Sequence, residues 1–494
     1  MTARRPLAAL ALAGLAGCAV GPDYQRPDLP AGAGYTPETL VASTAGGAPV
    51  QRFESGTDVE GEWWALYRSP ELDALIRQAL AANPDLQAAQ AALRQAHENV
   101  AVAEGDFLPQ MEGTLGATRE RVGGSSFGVP NAPATLFSVY NASVNVSYVP
   151  DIFGGTRRAV EASAADEEYS RFELEAAVLS LTGNVVTTAV QEASLRAQLA
   201  ATDEIAAAER QQLDVVRRRF DLGGASQAEV LSQEATLAAT EANLPPLKKQ
   251  LAAMRAQLAV YAGRPPSDDG AGQFTLDALA LPQTLPVELP SKLVEQRPDI
   301  RAAEAQLHAA SAQVGVAVAN MLPQIKLTGS YGDMAVKLGS LFDPGNAVWN
   351  IGASLTQPLL DENTLLHKKR GAEAAFDQAA AQYRSTVLKS FQDVANALHA
   401  VAFDAETHAA EITAERAAAD SLKLSREQYA LGAVAFPTLL DAEKSWQQAR
   451  LALVQAEAAR YADAAALFAA LGGGWWNRQA PPEAADQPYE EKAG

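Results

Sequence analysis

Asn83-Pro84-Asp85-Leu86 begins a stretch with helical character that ends at Phe107-Leu108-Pro109-Gln110. Arg297-Pro298-Asp299-Ile300 begins a second such stretch, which ends at Met321-Leu322-Pro323-Gln324. The two beginnings are 214 residues apart, and so are the two ends. A self-similarity that keeps its spacing without a gap predicts two copies of one structural plan.

The distribution of proline and glycine predicts a very long helix in each copy. No proline occurs between Arg158 and Leu222 or between Leu366 and Leu431, and each stretch has a single interior glycine. A helix of about 65 residues is roughly 97 Å long, since each residue adds about 1.5 Å. Coiled-coil spacings of three, four or seven residues occur in two series: Val387, Phe391, Val394, Leu398, Val401; and Val230, Leu237, Leu244, Leu251, Leu258.

A glycine turn and a shorter return helix follow each long helix. Leu222-Gly223-Gly224-Ala225 and Leu431-Gly432-Ala433-Val434 are the predicted turns, because glycine is favoured just beyond the end of a helix. Pro245-Pro246 predicts a kink or a break in the first return helix. Each half is therefore expected to run helix, strand pair, long helix, turn and return helix.

The strands show period-two alternation. Tyr140–Tyr148 and Trp349–Thr356 each alternate an apolar or aromatic face with a face of Asn, Ser, Thr or Gly. Their expected partners, Met111–Thr118 and Ile325–Gly332, alternate less cleanly. This pattern favours strands with one face in lipid and the other in water. A half-buried sheet in a soluble protein is the other interpretation.

Four such strands cannot close a barrel. Open strand edges in lipid would leave backbone groups unpaired, and small barrels need about eight strands. The strands must then be pooled between chains, so that two chains would supply eight strands and three would supply twelve. This reasoning alone does not choose between the two.

Composition excludes several classes of function. The chain of 494 residues carries a formal net charge of −20, which disfavours DNA or RNA as a partner. The one cysteine, Cys18, permits no internal disulfide, and the five histidines lack the spacing of metal ligands. No convergent acid, base or nucleophile indicates an enzyme, and no cofactor is expected apart from a covalent lipid.

The N-terminus has the pattern of a bacterial lipoprotein leader. Arg4 and Arg5 precede a short apolar stretch, and Leu15-Ala16-Gly17-Cys18 resembles a lipobox. The resemblance implies cleavage before Cys18 and acylation of that cysteine. Ala19 stands where an aspartate would retain a lipoprotein in the inner membrane, so the outer membrane is expected.

Taken together, these features resemble the TolC-like outer-membrane efflux proteins, and most closely the OprM-type lipoprotein branch. The resemblance covers nearly the whole mature chain. The fragments that carry it, in chain order, are Gly21-Pro22-Asp23-Tyr24-Gln25-Arg26-Pro27; Trp63-Trp64, Tyr67, Leu72, Leu75 and Ile76; Asn83-Pro84-Asp85; Asp151-Ile152-Phe153-Gly154; Pro358-Leu359-Leu360-Asp361; Leu439-Leu440-Asp441-Ala442-Glu443; and Leu471-Gly472-Gly473-Gly474-Trp475.

The resemblance implies an α+β membrane protein that assembles as a homotrimer. Its trimeric 12-stranded outer-membrane β-barrel, with four strands from each chain, would continue as a periplasmic α-helical barrel with a mixed equatorial belt. The implied partners are a periplasmic adaptor protein, an inner-membrane pump of the resistance–nodulation–division class, and outer-membrane lipid. The expected divisions are 1–17 signal peptide, 18–82 lipidated segment and equatorial region, 83–290 first repeat, 291–471 second repeat, and 472–494 equatorial tail.

The resemblance also assigns candidate sites. The adaptor-docking residues are Leu222, Gly223, Leu431 and Gly432. Asp441 matches the acidic ring of the periplasmic gate, and Lys444 is expected to pair with it or with a neighbouring subunit. The branch has a bulky apolar residue four positions before the gate aspartate. Pro437 stands there in this chain, with Phe436 beside it as the candidate replacement for the constriction.

The expected function is a passive duct for the efflux of drugs or other small molecules. Protein export by a type I secretion system and metal-ion efflux are the alternatives within transport. A periplasmic coiled-coil lipoprotein without a pore is the alternative from another class, and the four amphipathic strands disfavour it. The exported substrate and the particular pump are not specified by the sequence.

Overall fold

The computed structural model describes residues 19–27, 34–38, 43–44, 49–123, 133–268, 272–287, 290–361 and 363–478. The predicted leader, the predicted lipidation residue Cys18 and the tail from 479 lie outside the described residues. The chain divides into two compact units, and each takes segments from both repeats. Unit 1 comprises 1–27, 93–170 and 303–383, and unit 2 comprises 28–92, 171–302 and 384–494.

Both halves have the predicted order of elements. The first half contains β1 (Arg52–Ser55), α1 (Pro70–Ala82), α2 (Pro84–Gly105), β2 (Gln110–Val122), β3 (Thr135–Tyr148), α3 (Gly155–Asp221) and α4 (Gln227–Tyr261). The second contains β4 (Thr284–Val287), α5 (Pro290–Gln296), α6 (Pro298–Ala319), β5 (Gln324–Ala335), β6 (Ala347–Thr356), α7 (Thr364–Ala430) and α8 (Phe436–Ala470). The long helices α3 and α7 have 67 residues each, and the return helices α4 and α8 have 35 each.

The two repeat-opening motifs begin their helices by different means. In the first copy the side chain of Asn83 accepts hydrogen bonds from the backbone N–H groups of Asp85 and Leu86, at 3.0 and 3.1 Å. This is an N-cap followed by proline in the first helical position, where its missing N–H costs nothing. In the second copy Arg297 replaces the asparagine. Its guanidinium donates to Asp299 and to the carbonyl of Ala470, which ties the start of α6 to the end of α8.

The sheet in unit 1 has the strand order β2-β3-β5-β6 and is antiparallel throughout. Both predicted hairpins are present, and the β3–β5 pairing joins the two repeats. One face is apolar and includes Met111, Leu115, Val144, Val146, Leu327, Tyr331, Trp349, Ile351 and Leu355. The other includes Glu112, Thr114, Asn141, Ser143, Asn145, Ser147, Lys326, Thr328, Ser330, Asn350 and Ser354. The register therefore confirms the predicted two-faced sheet.

Pro245-Pro246 does not break the first return helix, because α4 runs through both prolines. A kink, the other expected outcome, stays a prediction. Two interior prolines remove two backbone hydrogen bonds and are costly in an isolated helix. Both are exposed, whereas Leu244 and Leu258 are buried. Packing of the apolar positions on either side of the prolines thus maintains the helix.

The core of unit 2 forms where the N-terminal segment meets the return helix α8. The Trp63 ring stacks on Phe468 with 5.4 Å between centroids, and the Tyr67 hydroxyl donates to the Tyr461 carbonyl at 2.7 Å. Nearby, β1 pairs in parallel with β4. The side chain of Asn477 donates to the carbonyl of Val59, so the segments expected to form a belt do contact one another.

Candidate functional site at the helical hairpin ends

The two predicted turns close the α3–α4 and α7–α8 hairpins with the same backbone geometry. Gly223 and Gly432 have φ values of +76° and +72°, a left-handed conformation that glycine adopts without steric cost. At the first turn the N–H of Gly224 bonds to the carbonyl of Arg219, and at the second the N–H of Ala433 bonds to that of Gln428. Both turns are thus Schellman caps, as the glycine positions predicted.

Each turn presents one leucine to solvent. Leu222 is 87% exposed and Leu431 is 85% exposed. A Cβ atom placed on Gly223 or on Gly432 would have no heavy atom within 4 Å, so the space around both turns is open. Both turns are thus open to solvent, and each carries one exposed apolar side chain.

The return helices begin differently. Ser226 caps α4 in a complete capping box, in which its hydroxyl accepts from the N–H of Glu229 and the Glu229 carboxylate accepts from the N–H of Ser226. Ala435, at the same position before α8, has no side chain that could form such a bond. The next two residues are Phe436 and Pro437. The start of α8 therefore depends on Pro437, whose ring fixes φ near the helical value, and on burial of the Phe436 ring.

Phe436 belongs to an apolar cluster inside the hairpin ends. Its ring lies 5.4 Å from that of Tyr429, and only 3% of the residue is exposed. The cluster, termed the tip core below, consists of Val216, Leu422, Tyr429, Phe436, Leu439 and Ala442. The role of Phe436 as a replacement for the missing constriction residue stays a prediction, and the burial of its ring within its own chain disfavours it. Its ring is packed between helices of its own chain, while Pro437 is exposed.

Asp441 and Lys444 are both exposed on the second turn and third turn of α8. No ion pair joins them in the part of the chain that the structure describes. The backbone carbonyl of Asp441 accepts a hydrogen bond from the hydroxyl of Ser445 at 2.8 Å. The carboxylate is thus available to a neighbouring chain or to ions, whereas Ala442 and Glu443 next to it are buried.

Sequence reasoning missed a buried polar cluster between the two hairpins. Glu209 of α3 accepts hydrogen bonds from Thr240 of α4, at 3.1 Å, and from Gln447 of α8. Burial raises the pKa of the Glu209 carboxyl, and the hydrogen bonds from Thr240 and Gln447 oppose the shift. Gln233 and Thr240 are seven residues apart and buried. That heptad spacing of buried polar residues is the signal in the sequence from which the cluster could be found.

Two further contacts link the hairpins nearer the turns. The Tyr429 hydroxyl donates to the Glu229 carboxylate at 3.4 Å, and the Arg219 guanidinium lies 4.7 Å from the centre of the Tyr429 ring. Tyr429 belongs to α7, whereas Arg219 and Glu229 belong to the first hairpin. One aromatic residue of the tip core thus connects both hairpins through a hydrogen bond and a cation–π contact.

The hairpins carry an ion pair at equivalent positions, but its environment differs. Arg217 and Glu234 of the first hairpin are 2.7 Å apart and largely exposed. Arg426 and Glu443 of the second are 3.4 Å apart, and the Glu443 side chain is almost fully buried. Burial raises the pKa of Glu443, and Arg426 offsets part of the shift.

No helix among the described residues combines the length and the apolar content needed to cross a membrane. Within the same described part of the chain, no group of three or more His, Cys, Asp or Glu is arranged to hold a metal ion. The buried polar side chains at these ends form hydrogen bonds with one another across the interfaces between helices.

A two-faced antiparallel sheet, combined with two hairpins built on 67-residue helices, defines an outer-membrane channel of the efflux type. The chain belongs to the outer membrane efflux protein family, whose pattern matches residues 75–264 and 289–473. It has the TolC-like fold and is a channel, not an enzyme. It lies in the outer membrane, extends into the periplasm, and serves as the outer-membrane component of efflux.

Individual relatives agree with this assignment. The pyoverdine export outer membrane protein OpmQ of Pseudomonas putida is 32% identical over 455 residues, covering 88% of this chain and 94% of that protein. The probable outer membrane lipoprotein SilC of Salmonella typhimurium is 27% identical, and the match covers 93% of this chain and 96% of that protein. The outer-membrane channel OprN has a solved structure that matches with a TM-score of 0.83 at 27% identity, covering 93% of this chain and 100% of that one.

Proposed function

We propose that three copies of this chain pool their strands into one 12-stranded barrel and form a duct for small molecules in a tripartite efflux system. The observation that carries this proposal is the sheet itself. Strands β2 and β6 are its two edges, and its apolar face is largely exposed. Unpaired edges are not tolerated in lipid, so each edge must pair with a strand of another copy. Three copies is the number that the family resemblance implies.

Native mass spectrometry of the detergent-solubilised protein tests the copy number. We expect a species of three chains that survives removal of the detergent micelle in the gas phase. A dimer with eight strands, or a monomer that keeps its strand signal in circular dichroism, would contradict the proposal.

The exposed leucines at the two turns support a docking role for Leu222, Gly223, Leu431 and Gly432. The partner would be a periplasmic adaptor bound to an inner-membrane pump of the resistance–nodulation–division class. The combined change Leu222→Ser and Leu431→Ser retains both glycine caps and removes two apolar anchors. We expect about a tenfold loss of co-purified adaptor, measured by quantitative mass spectrometry, because buried apolar anchors dominate such interfaces.

Leu388→Ser, at an exposed position within α7, is the matched control for this docking experiment. It should leave adaptor recovery unchanged. Equal recovery from the double variant and the control would assign the two turns a capping role only.

The exposed carboxylate of Asp441 supports a gate role. In a trimer three copies of Asp441 would face one another, and a ring of like charges attracts cations and repels anions. Lys444 would then pair with a neighbouring chain and hold the closed end together. Planar-bilayer conductance should show reduced cation preference after Asp441→Asn and no change after Asp420→Asn on α7. Identical selectivity of both variants would exclude Asp441 from the gate.

The lipobox-like residues Leu15-Ala16-Gly17-Cys18, together with a relative named as a probable lipoprotein, support acylation of Cys18. The mature protein would begin at this residue and carry covalent lipid as its only non-protein group. Mass spectrometry of the N-terminal peptide should show the acyl mass, and an unmodified Cys18 peptide would disprove acylation.

Small molecules are the proposed cargo because the relatives include proteins named for pyoverdine, antibiotic and toluene export. Export of proteins or of metal ions is the alternative. Identification of the inner-membrane protein that co-purifies with the chain discriminates between them. A resistance–nodulation–division pump would support the proposal, and an ATP-driven protein exporter would overturn it.

A further inference from the structure

Three buried oxygen atoms between the two hairpins have no hydrogen-bond donor among the residues that the structure describes. They are Oε2 of Glu209 in α3, Oε1 of Gln233 in α4 and Oε2 of Glu443 in α8. The three residues are 3%, 0% and 2% exposed. A buried polar atom without a partner is costly and rare in folded proteins, so three in one region require a physical explanation.

The three residues belong to one cluster, because their contacts overlap. The Gln233 side chain donates to the backbone carbonyl of Glu209 at 3.5 Å. The Gln447 side chain donates to Oε1 of Glu209, and Gln447 lies on the same face of α8 as Glu443, four residues away. The cluster thus joins α3, α4 and α8 about three to four helical turns from the two glycine turns.

The burial of this cluster does not depend on how many copies assemble. Its members come from helices of one chain, and Glu209 contacts Thr240 of α4 on one side and Gln447 of α8 on the other. Association with further copies can add to the burial of these side chains but cannot by itself expose them. The environment found in one chain therefore also holds in an assembly.

The charges around the two carboxyls do not balance when both are ionised. The Arg426 guanidinium of α7 faces Glu443 at 3.4 Å, and the Glu209 carboxylate faces Glu443 from α3. Arg210 and Glu241 face Glu209, but they pair with each other at 2.7 Å and cancel. Two buried negative charges thus share one positive charge. A buried carboxylate without a compensating charge binds a proton instead.

We propose that Glu209 and Glu443 together hold one proton, which supplies the missing donor and the missing positive charge and holds the two hairpins together behind their tips. A water molecule would supply a donor but would leave the charge unbalanced. In the proposed duct, loss of this proton would loosen the closed periplasmic end. That effect on the duct rests on the proposed function, whereas the contact between the hairpins does not.

The direction of the pH dependence follows from burial, which raises the pKa of both carboxyls. The folded state therefore binds the proton more tightly than the unfolded state does. The stabilising contribution is complete at low pH and is lost as pH rises from about 4.5 through the folded pKa.

Hydrogen exchange of the assembled protein at pH 5 and pH 9, corrected for the intrinsic pH dependence of exchange, tests the proposal. We expect exchange around Glu209, Gln233 and Glu443 to be at least about fivefold faster at pH 9, because buried polar atoms then lose their donor. Glu209→Gln substitutes an amide donor for the proton and removes one charge, so protection should persist at pH 9. Glu443→Gln should behave in the same way and serves if the first variant folds poorly.

The matched control is Glu204→Gln, at an exposed position on α3, which should retain the pH dependence of the unchanged protein. The double variant Glu209→Gln with Glu443→Gln leaves Arg426 without a buried counter-charge and should be less protected at pH 9 than either single variant.

Three results would overturn the proposal. The first is an unchanged pH dependence in both single variants. The second is a double variant that is the best protected at pH 9, because each carboxyl would then bind its own proton. The third is protection that follows the concentration of sodium or calcium at fixed pH, because a metal ion would then balance the charge. The chain count from native mass spectrometry tests the proposed duct independently.

Discussion

The two hairpin ends have the same backbone but opposite relations to solvent. At equivalent positions Phe220 is exposed and Tyr429 is buried, and likewise Gln227 is exposed and Phe436 is buried. The ion pair Arg217–Glu234 lies at the surface of the first hairpin, whereas the carboxyl of the equivalent Glu443 is enclosed.

This difference shows how a duplicated backbone can be stabilised in two ways. The first hairpin begins its return helix with local hydrogen bonds between Ser226 and Glu229. The second relies on burial of Phe436 in the tip core, to which Val216 of the first hairpin also contributes. The two ends are therefore coupled to each other through the tip core and the Tyr429–Glu229 contact, and the first end has a local cap in addition. Hydrogen exchange measured at each hairpin end can test this comparison.

The largest effect is expected from Phe436→Ala. Removal of a buried aromatic ring costs about 3–5 kcal/mol, because the cavity is only partly refilled. Exchange protection should fall at the second hairpin end and, through the shared core, around Val216. The equivalent change Gln227→Ala should have almost no effect on either end. Equal losses in the two variants would show that the ends do not differ in packing.

The next largest effect concerns pH and the buried carboxyl of Glu443. Burial raises its pKa above the ordinary value of 4.5, so the folded state binds this proton more tightly than the unfolded state. Its contribution to stability is therefore present at low pH and is lost as pH rises from about 4.5 through the folded pKa. Glu443→Gln should increase protection of the second hairpin end at pH 8 and change it little at pH 4. The exposed equivalent, Glu234→Gln, is the control, and a gain at pH 4 equal to that at pH 8 would disprove the linkage.

A smaller effect is expected at the capping box. Ser226→Ala removes the side-chain acceptor for the N–H of Glu229 and should lower the stability of the start of α4 by about 1 kcal/mol. Ala435→Ser, at the equivalent position before α8, should raise stability there by a smaller amount. If Ser226→Ala changes exchange at the second end as much as at the first, the capping box does not act locally.

The smallest difference between the ends is expected at the glycines. Gly223→Ala and Gly432→Ala each force a side chain into a left-handed conformation, at a cost of about 1 kcal/mol. Neither added Cβ meets a neighbouring atom, so the two costs should be equal. Unequal losses of exchange protection would reveal a constraint at one turn beyond the backbone geometry.

Much of this fold could be predicted from the sequence because its elements are long and strongly periodic. Proline-free stretches predicted α3 and α7, and glycines predicted both turns with the correct conformation. Alternation predicted which face of the sheet is apolar. The pairing of β3 with β5 and of β1 with β4 could not be predicted, because periodicity identifies a face and does not specify the strand beside it.

The site was less predictable, for a related reason. Phe436 stands next to the expected constriction position in the sequence, yet the packing of Tyr429 and Leu439 determines where its ring lies. Glu209 was not singled out because its partners, Thr240 and Gln447, come from two other helices. The roles of Asp441, Lys444 and the turn leucines remain predictions, since they depend on neighbouring molecules.

The seam between β3 and β5 has a consequence for biogenesis. Tyr148 pairs with Leu327, so the middle of the sheet joins residues that are far apart in the chain. The β2–β3 hairpin is complete early, but one of its edges stays open until the second repeat has been exported from the cytoplasm. Contacts of such long sequence separation form slowly, and open strand edges are prone to aggregation. We therefore expect the nascent chain to aggregate more readily during this interval than after the sheet is complete, and chains stalled between β3 and β5 should aggregate most.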